Sequence, residues 1–84
     1  MTYNYVFLFH VQHELKKIKT RLKKNSVVSS VIDAPRQITT ECEIALKVQF
    51  LDENTYLKYT SENIREIWLV NDTNYKQVWV DETG

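Results

Sequence analysis

Cys42 is the only thiol in this chain of 84 residues, and it closes a polar run, Ala34-Pro35-Arg36-Gln37-Ile38-Thr39-Thr40-Glu41-Cys42. A thiolate is a soft nucleophile that can attack another sulfur, and nearby cations favour its formation. Arg36 offers a planar guanidinium for a carboxylate or phosphate. Its structural alternative is an ion pair with Asp33 or Glu41. Thr39 and Thr40 supply hydroxyls that either cap a turn or meet a ligand. Pro35 pins the exit of the preceding segment, and the Ala34–Pro35 bond is open between trans and the rarer cis form. His10 and His13 stand three apart and could share one helix face, as metal ligands or as a base for Cys42. A tetrahedral metal site needs more ligands than these supply, so no metal and no cofactor is assigned. Glu41 and Glu43 flank the cysteine, and carboxylates turned toward the sulfur would disfavour the thiolate.

The elements that must position these residues follow from periodicity. Tyr3 to Phe9 is an apolar and aromatic run suited to a well-buried strand. Val11, Leu15, Ile18 and Leu22 form one stripe of an amphipathic helix over about Val11 to Lys24. Asn25-Ser26 can end it. Val27 to Asp33 is a β-branched strand. Ile44, Leu46, Val48 and Phe50 alternate with Ala45, Lys47 and Gln49, the pattern of a half-buried strand. Asp52 is positioned to cap a short second helix carrying Thr55, Tyr56 and Tyr59. Glu66 to Val70 and Tyr75 to Asp81 read as two strands around the turn Asn71-Asp72-Thr73-Asn74, with Trp68 and Trp79 as a cross-strand core pair.

This order predicts an α+β fold, the ferredoxin-like split βαβ arrangement (β-α-β-β-α-β) with an added C-terminal hairpin strand. Its antiparallel sheet would carry two helices on one face. The first and third strands would be central neighbours. Cys42, Arg36, His10, His13 and the opening turn of the first helix would then meet at one end of the sheet, where free N–H groups favour anions.

Composition narrows the class. Residues 1–84 suffice for one domain. The single glycine is Gly84, which excludes Gly-rich phosphate loops. No apolar run reaches the roughly 20 residues needed to span a bilayer. The opening Met1-Thr2-Tyr3-Asn4-Tyr5 lacks a basic signal-peptide region. A lone cysteine fits a reducing, cytoplasmic setting. Net charge is zero, yet residues 1–40 hold seven basic and two acidic side chains. Six of those cations lie between Lys16 and Lys24, in the pattern of a solvated helix face.

Residues 35–47, Pro-Arg-Gln-Ile-Thr-Thr-Glu-Cys-Glu-Ile-Ala-Leu-Lys, resemble the Pro-Arg-Glu-Ile-Ser-Ser-Ser-Cys-Gly-x-Ala-Leu-Arg segment of the Se/S carrier protein-like family. Phe7-Leu8-Phe9, Leu15 and Lys19 fit the opening of that family, so the resemblance covers residues 3 to about 60. It departs where Glu43 replaces the glycine after the cysteine, where Glu41 precedes it, and at Glu14 and Ile18 in the helix. The hairpin beyond looks longer than the family needs. The resemblance implies a small carrier of sulfur or selenium that uses Cys42, with protein donors and acceptors, rather than a turnover enzyme. The alternative is an interaction module, self-associating as a homodimer, that keeps the fold without thiol chemistry. Nucleic-acid binding through the basic helix ranks third. The strand positions Ala45, Lys47 and Gln49 lack the aromatic pair on which RNA bases stack.

Overall fold

The computed structural model describes residues 2–40, 42–60 and 63–81. Five antiparallel strands form one sheet in the order β2-β3-β1-β4-β5. They are β1 (Tyr3–Phe9), β2 (Val28–Asp33), β3 (Ile44–Phe50), β4 (Ile64–Asn71) and β5 (Asn74–Val80). One α-helix, α1 (Leu15–Lys24), follows β1 after a 3₁₀ turn at Gln12–Glu14.

β1 lies between β3 and β4, with Tyr5 opposite Val48 on one side and Leu69 on the other. Its last five residues are all buried, because both faces of the sheet are covered along this strand. On the helix side, Tyr5, Phe7 and Phe9 join Leu15, Ile18 and Leu22 of α1 and Leu46, Val48 and Phe50 of β3. On the opposite side, Val6, Leu8 and Ala45 are buried beneath Ala34 and Ile38 of the polar loop, together with Trp68 and Tyr75. The loop therefore covers apolar sheet surface as well as carrying the cysteine.

Helix α1 begins at Leu15, four residues later than the stripe implies. Val11 has an extended backbone (φ −123°, ψ 116°), and Gln12–Glu14 form the tighter turn. The helix ends in a Schellman motif: the N–H of Val27 donates to the Leu22 carbonyl at 2.9 Å, and that of Ser26 to the Lys23 carbonyl at 3.0 Å. Ser26, not Asn25, takes the left-handed conformation (φ 60°).

The expected ferredoxin-like arrangement with two helices is corrected here: among the described residues the sheet carries a single α-helix. The segment after β3 forms only a 3₁₀ turn, Thr55–Tyr59. Asn54 precedes it without a side-chain cap, and Asp52 takes no part. Five residues cannot repay the cost of nucleating an α-helix. Tyr59 stays buried and stacks on Phe50 at 5.7 Å, so the aromatic rings anchor the crossover without helical structure.

The expected tryptophan pair is also absent. Trp68 pairs in register with Gln77, and Trp79 with Ile67, across a bulge on β5. The extra residue puts Val78 and Trp79 against the helix-side core while Trp68 packs on the loop side.

Candidate functional site

The loop between β2 and β3 is closed at its base by Ala34 N–H, which donates to the Glu43 carbonyl at 2.9 Å. Just beyond, the Pro35 carbonyl accepts from the N–H groups of Ile38 (3.2 Å) and Thr39 (3.3 Å), winding residues 35–39 into a tight turn. Every described peptide bond is trans, Ala34–Pro35 included. The free thiol of Cys42 is exposed on the returning arm. Glu41 lies outside the described residues.

Cys42, Arg36, Thr40 and Gln12 line one open cavity of about 510 Å³, with Asp33 and Glu43 at its wall. Arg36 forms no ion pair among the described residues, with Asp33 or any other. Arg36 also lines a second cavity of about 530 Å³, shared with Thr39, Thr40, Arg65 and Glu66. The loop thus places an exposed cysteine, an arginine with no ion pair among the described residues and a threonine around a single space. That combination can receive a small anionic group beside a nucleophile.

The histidines lie elsewhere. His10 Nε2 is 2.8 Å from Asp81 Oδ2, and the His10 backbone N–H donates to the Asn63 carbonyl at 3.0 Å, tying the end of β1 to the hairpin. His13 is almost fully exposed and 3.6 Å from Glu14. Neither lines the Cys42 cavity. Gln12 stands there instead: its Oε1 accepts from the Ile44 N–H at 2.8 Å and pins the 3₁₀ turn to the start of β3. The helix opening that borders the cavity is this turn, not α1 itself. Among the described residues no group of three His, Cys, Asp or Glu side chains could hold a metal ion.

Glu43 follows the cysteine in the chain and lines the same cavity. Its side chain is only 7% exposed and is gripped by Arg65, with Nη2 to Oε1 at 2.8 Å and Nη1 to Oε2 at 3.4 Å. Burial alone would lower the pKa of Arg65. The hydrogen bond and charge of Glu43, followed by those of Glu66, outweigh burial and raise it. Glu66 in turn accepts from Arg65 Nε (3.2 Å), Trp68 Nε1 (3.1 Å) and Gln77 Nε2 (2.7 Å). A second bulge builds this network. The register of β4 on β1 shifts between Leu8, opposite Glu66, and Phe9, opposite Ile64. Arg65 is the extra residue, and it lines the space under the loop together with Glu66.

Among the described residues, an antiparallel α+β sheet with one α-helix, whose exposed loop cysteine shares a cavity with an arginine in no ion pair, is the class these features define. The family model described as "Putative Se/S carrier protein-like" matches residues 4–79, and the chain belongs to that family. The match continues well past residue 60 and takes in nearly all of the β4–β5 hairpin. No curated protein and no solved structure matches the chain. Among the described residues no helix is long and apolar enough to cross a membrane.

Proposed function

We propose that this protein is a carrier of sulfane sulfur or the equivalent selenium, with Cys42 as the carrying residue. The observation that bears most weight is the cavity that Cys42, Arg36 and Thr40 line together, with the cysteine exposed and Arg36 in no ion pair among the described residues. Family membership supports the same reading. The Cys42 thiolate attacks the terminal sulfur of a donor persulfide, R–S–SH. A new S–S bond forms at Cys42, the S–S bond of the donor breaks, and the donor leaves as R–S⁻. The product, Cys42–S–SH, presents its outer sulfur to an acceptor nucleophile, which takes it and returns the Cys42 thiolate. No external oxidant or reductant is required. Arg36 offsets the negative charge that passes between the two sulfurs. Arg65 holds the Glu43 carboxylate in an ion pair, so the residue that replaces a glycine of the family does not act on the sulfur as a bare charge.

Incubation with a persulfide-generating cysteine desulfurase and cysteine, followed by mass spectrometry of the intact protein, tests this. The expected result is a mass gain of one sulfur atom, removed by a thiol reductant and absent from Cys42→Ser. Arg36→Ala should slow loading while the fold is kept. A wild-type protein that gains no sulfur from a competent donor would overturn the proposal.

A further inference from the structure

The carrier reading concerns one end of the sheet. A second surface adjoins it. Gln12, Leu15, Lys16, Lys19, Val31 and Ile44 line an almost wholly apolar groove between the opening of α1 and the outer strands. Val31 and Ile44 are 47% and 39% exposed there. Gln12 and Ile44 also line the Cys42 cavity, so the groove leads to the sulfur. Strand β2 is at the edge of the sheet and pairs only with β3, leaving the outward row of its backbone donors and acceptors unpaired among the described residues. Edges of this kind invite an added strand.

The charge around the groove selects what that strand can be. Helix α1 reads LKKIKTRLKK and contains no acidic residue. Lys17 pairs with Glu14, and Arg21 lies 5.0 Å over the Tyr59 ring. Lys16 and Lys19, the two lysines at the groove, have no ion-pair partner among the described residues. A second copy of this chain added through β2, about a two-fold axis normal to the sheet, would set two such lysine rows side by side. Repulsion disfavours that occupant.

We infer that β2 and the groove receive an extended acidic segment of a partner protein, in which apolar and carboxylate side chains alternate. Its backbone pairs with β2, its apolar side chains cover Val31 and Ile44, and its carboxylates meet Lys16 and Lys19. This rests on the carrier reading for its meaning, since a segment docked there holds its parent protein against the Cys42 cavity. The physical claim about the groove stands apart from the sulfur chemistry.

The test uses the full chain, ¹⁵N-labelled, titrated with a peptide alternating leucine and glutamate and, separately, with its leucine–lysine counterpart. The expected result is amide shifts in β2 and at Lys16, Lys19 and Ile44 with the acidic peptide alone. Affinity should fall about tenfold in Lys16→Glu/Lys19→Glu, and fall again between about 50 mM and about 500 mM salt. Val31→Glu should weaken binding while its spectrum stays folded. Equal binding of the two peptides overturns the inference. So do shifts away from β2, β2 shifts that follow protein concentration without peptide, and an oligonucleotide that moves Lys16 and Lys19 when the acidic peptide does not. Cys42→Ser separates the two ideas. Unaltered peptide binding there, alongside wild-type protein that accepts no sulfur, would retire the carrier and keep the groove.

Discussion

Replacing Arg65 with methionine should be one of the most damaging single changes outside the apolar core. The substitution keeps much of the side-chain volume and leaves the Glu43 carboxylate, 7% exposed, without the guanidinium that holds it at 2.8 Å. Breaking a fully buried pair by removing one partner costs about 3–5 kcal/mol. Arg65 is itself 26% exposed, so water reaches part of the gap and softens the loss. About 2–3 kcal/mol is the expected cost. A chain of 84 residues has about 4–12 kcal/mol of stability in all, so the variant gives up a large share of it. Urea unfolding at neutral pH should show that loss in the midpoint with an unchanged slope, and thermal unfolding should drop by about 10–20 °C. The double variant Arg65→Met/Glu43→Gln should recover about 1 kcal/mol, because the stranded charge is gone. A loss under about 0.5 kcal/mol for Arg65→Met, the range of ordinary surface substitutions, would refute the reasoning. Simple additivity in the double variant would do the same.

Two further outcomes follow from single contacts. The Tyr5 hydroxyl donates to the Glu53 carbonyl at 2.6 Å, and burial, followed by Tyr56, Glu53 and Tyr3, pushes its pKa up to about 12 from 10.0. The folded state therefore holds this proton more tightly than the unfolded chain, and its contribution, complete below pH 10, is lost as pH climbs from about 10 to about 12. Urea midpoints across that window should fall less steeply in Tyr5→Phe; an unchanged slope would contradict the assignment. Gln12→Ala removes the acceptor of the Ile44 N–H and should cost about 0.5–1 kcal/mol. Amide exchange at Ile44 should quicken, and exchange equal to wild type would show that Gln12 does not hold the start of β3.

The strands and α1 were legible because they repeat. Leu46, Val48 and Phe50 alternate onto the buried face, and Leu15, Ile18 and Leu22 recur on one side of a helix. Such patterns record which side of an element meets the core. The second helix was misread because Tyr56 and Tyr59 carry the same three-residue spacing in a 3₁₀ turn, where rings at i and i+3 also share a side. At the site, Cys42, Arg36 and Thr40 could be grouped from the sequence because one short loop holds all three. Gln12 could not, since nothing local shows that it bonds to a backbone 32 residues away. His10 looked like a neighbour of the cysteine, but its partner, Asp81, lies 71 residues on.

The bulge at Arg65 is the feature that sequence patterns hide most completely, and it explains how this chain carries glutamate where the family resemblance places glycine. A regular strand would send Arg65 and Glu66 to opposite faces of the sheet. The register shift against Leu8 and Phe9 turns both toward the loop, where one guanidinium serves two carboxylates, Glu43 and Glu66. A glycine at position 43 would need no such cation. Glutamate needs one, because its carboxylate is turned onto Arg65 and almost wholly buried rather than out in water. The β4–β5 hairpin, which the resemblance made look longer than the family requires, contributes Glu66 and Gln77 to the same network and so braces the loop from below. Glu43 and Arg65 therefore form one unit: Glu43→Gly alone strands the arginine between Glu66 and a void, and Arg65→Met alone strands the acid. A homologue with glycine at 43 should have no call for arginine at 65, whereas the cavity formed by Arg36, Thr40 and Cys42 should persist in both backgrounds.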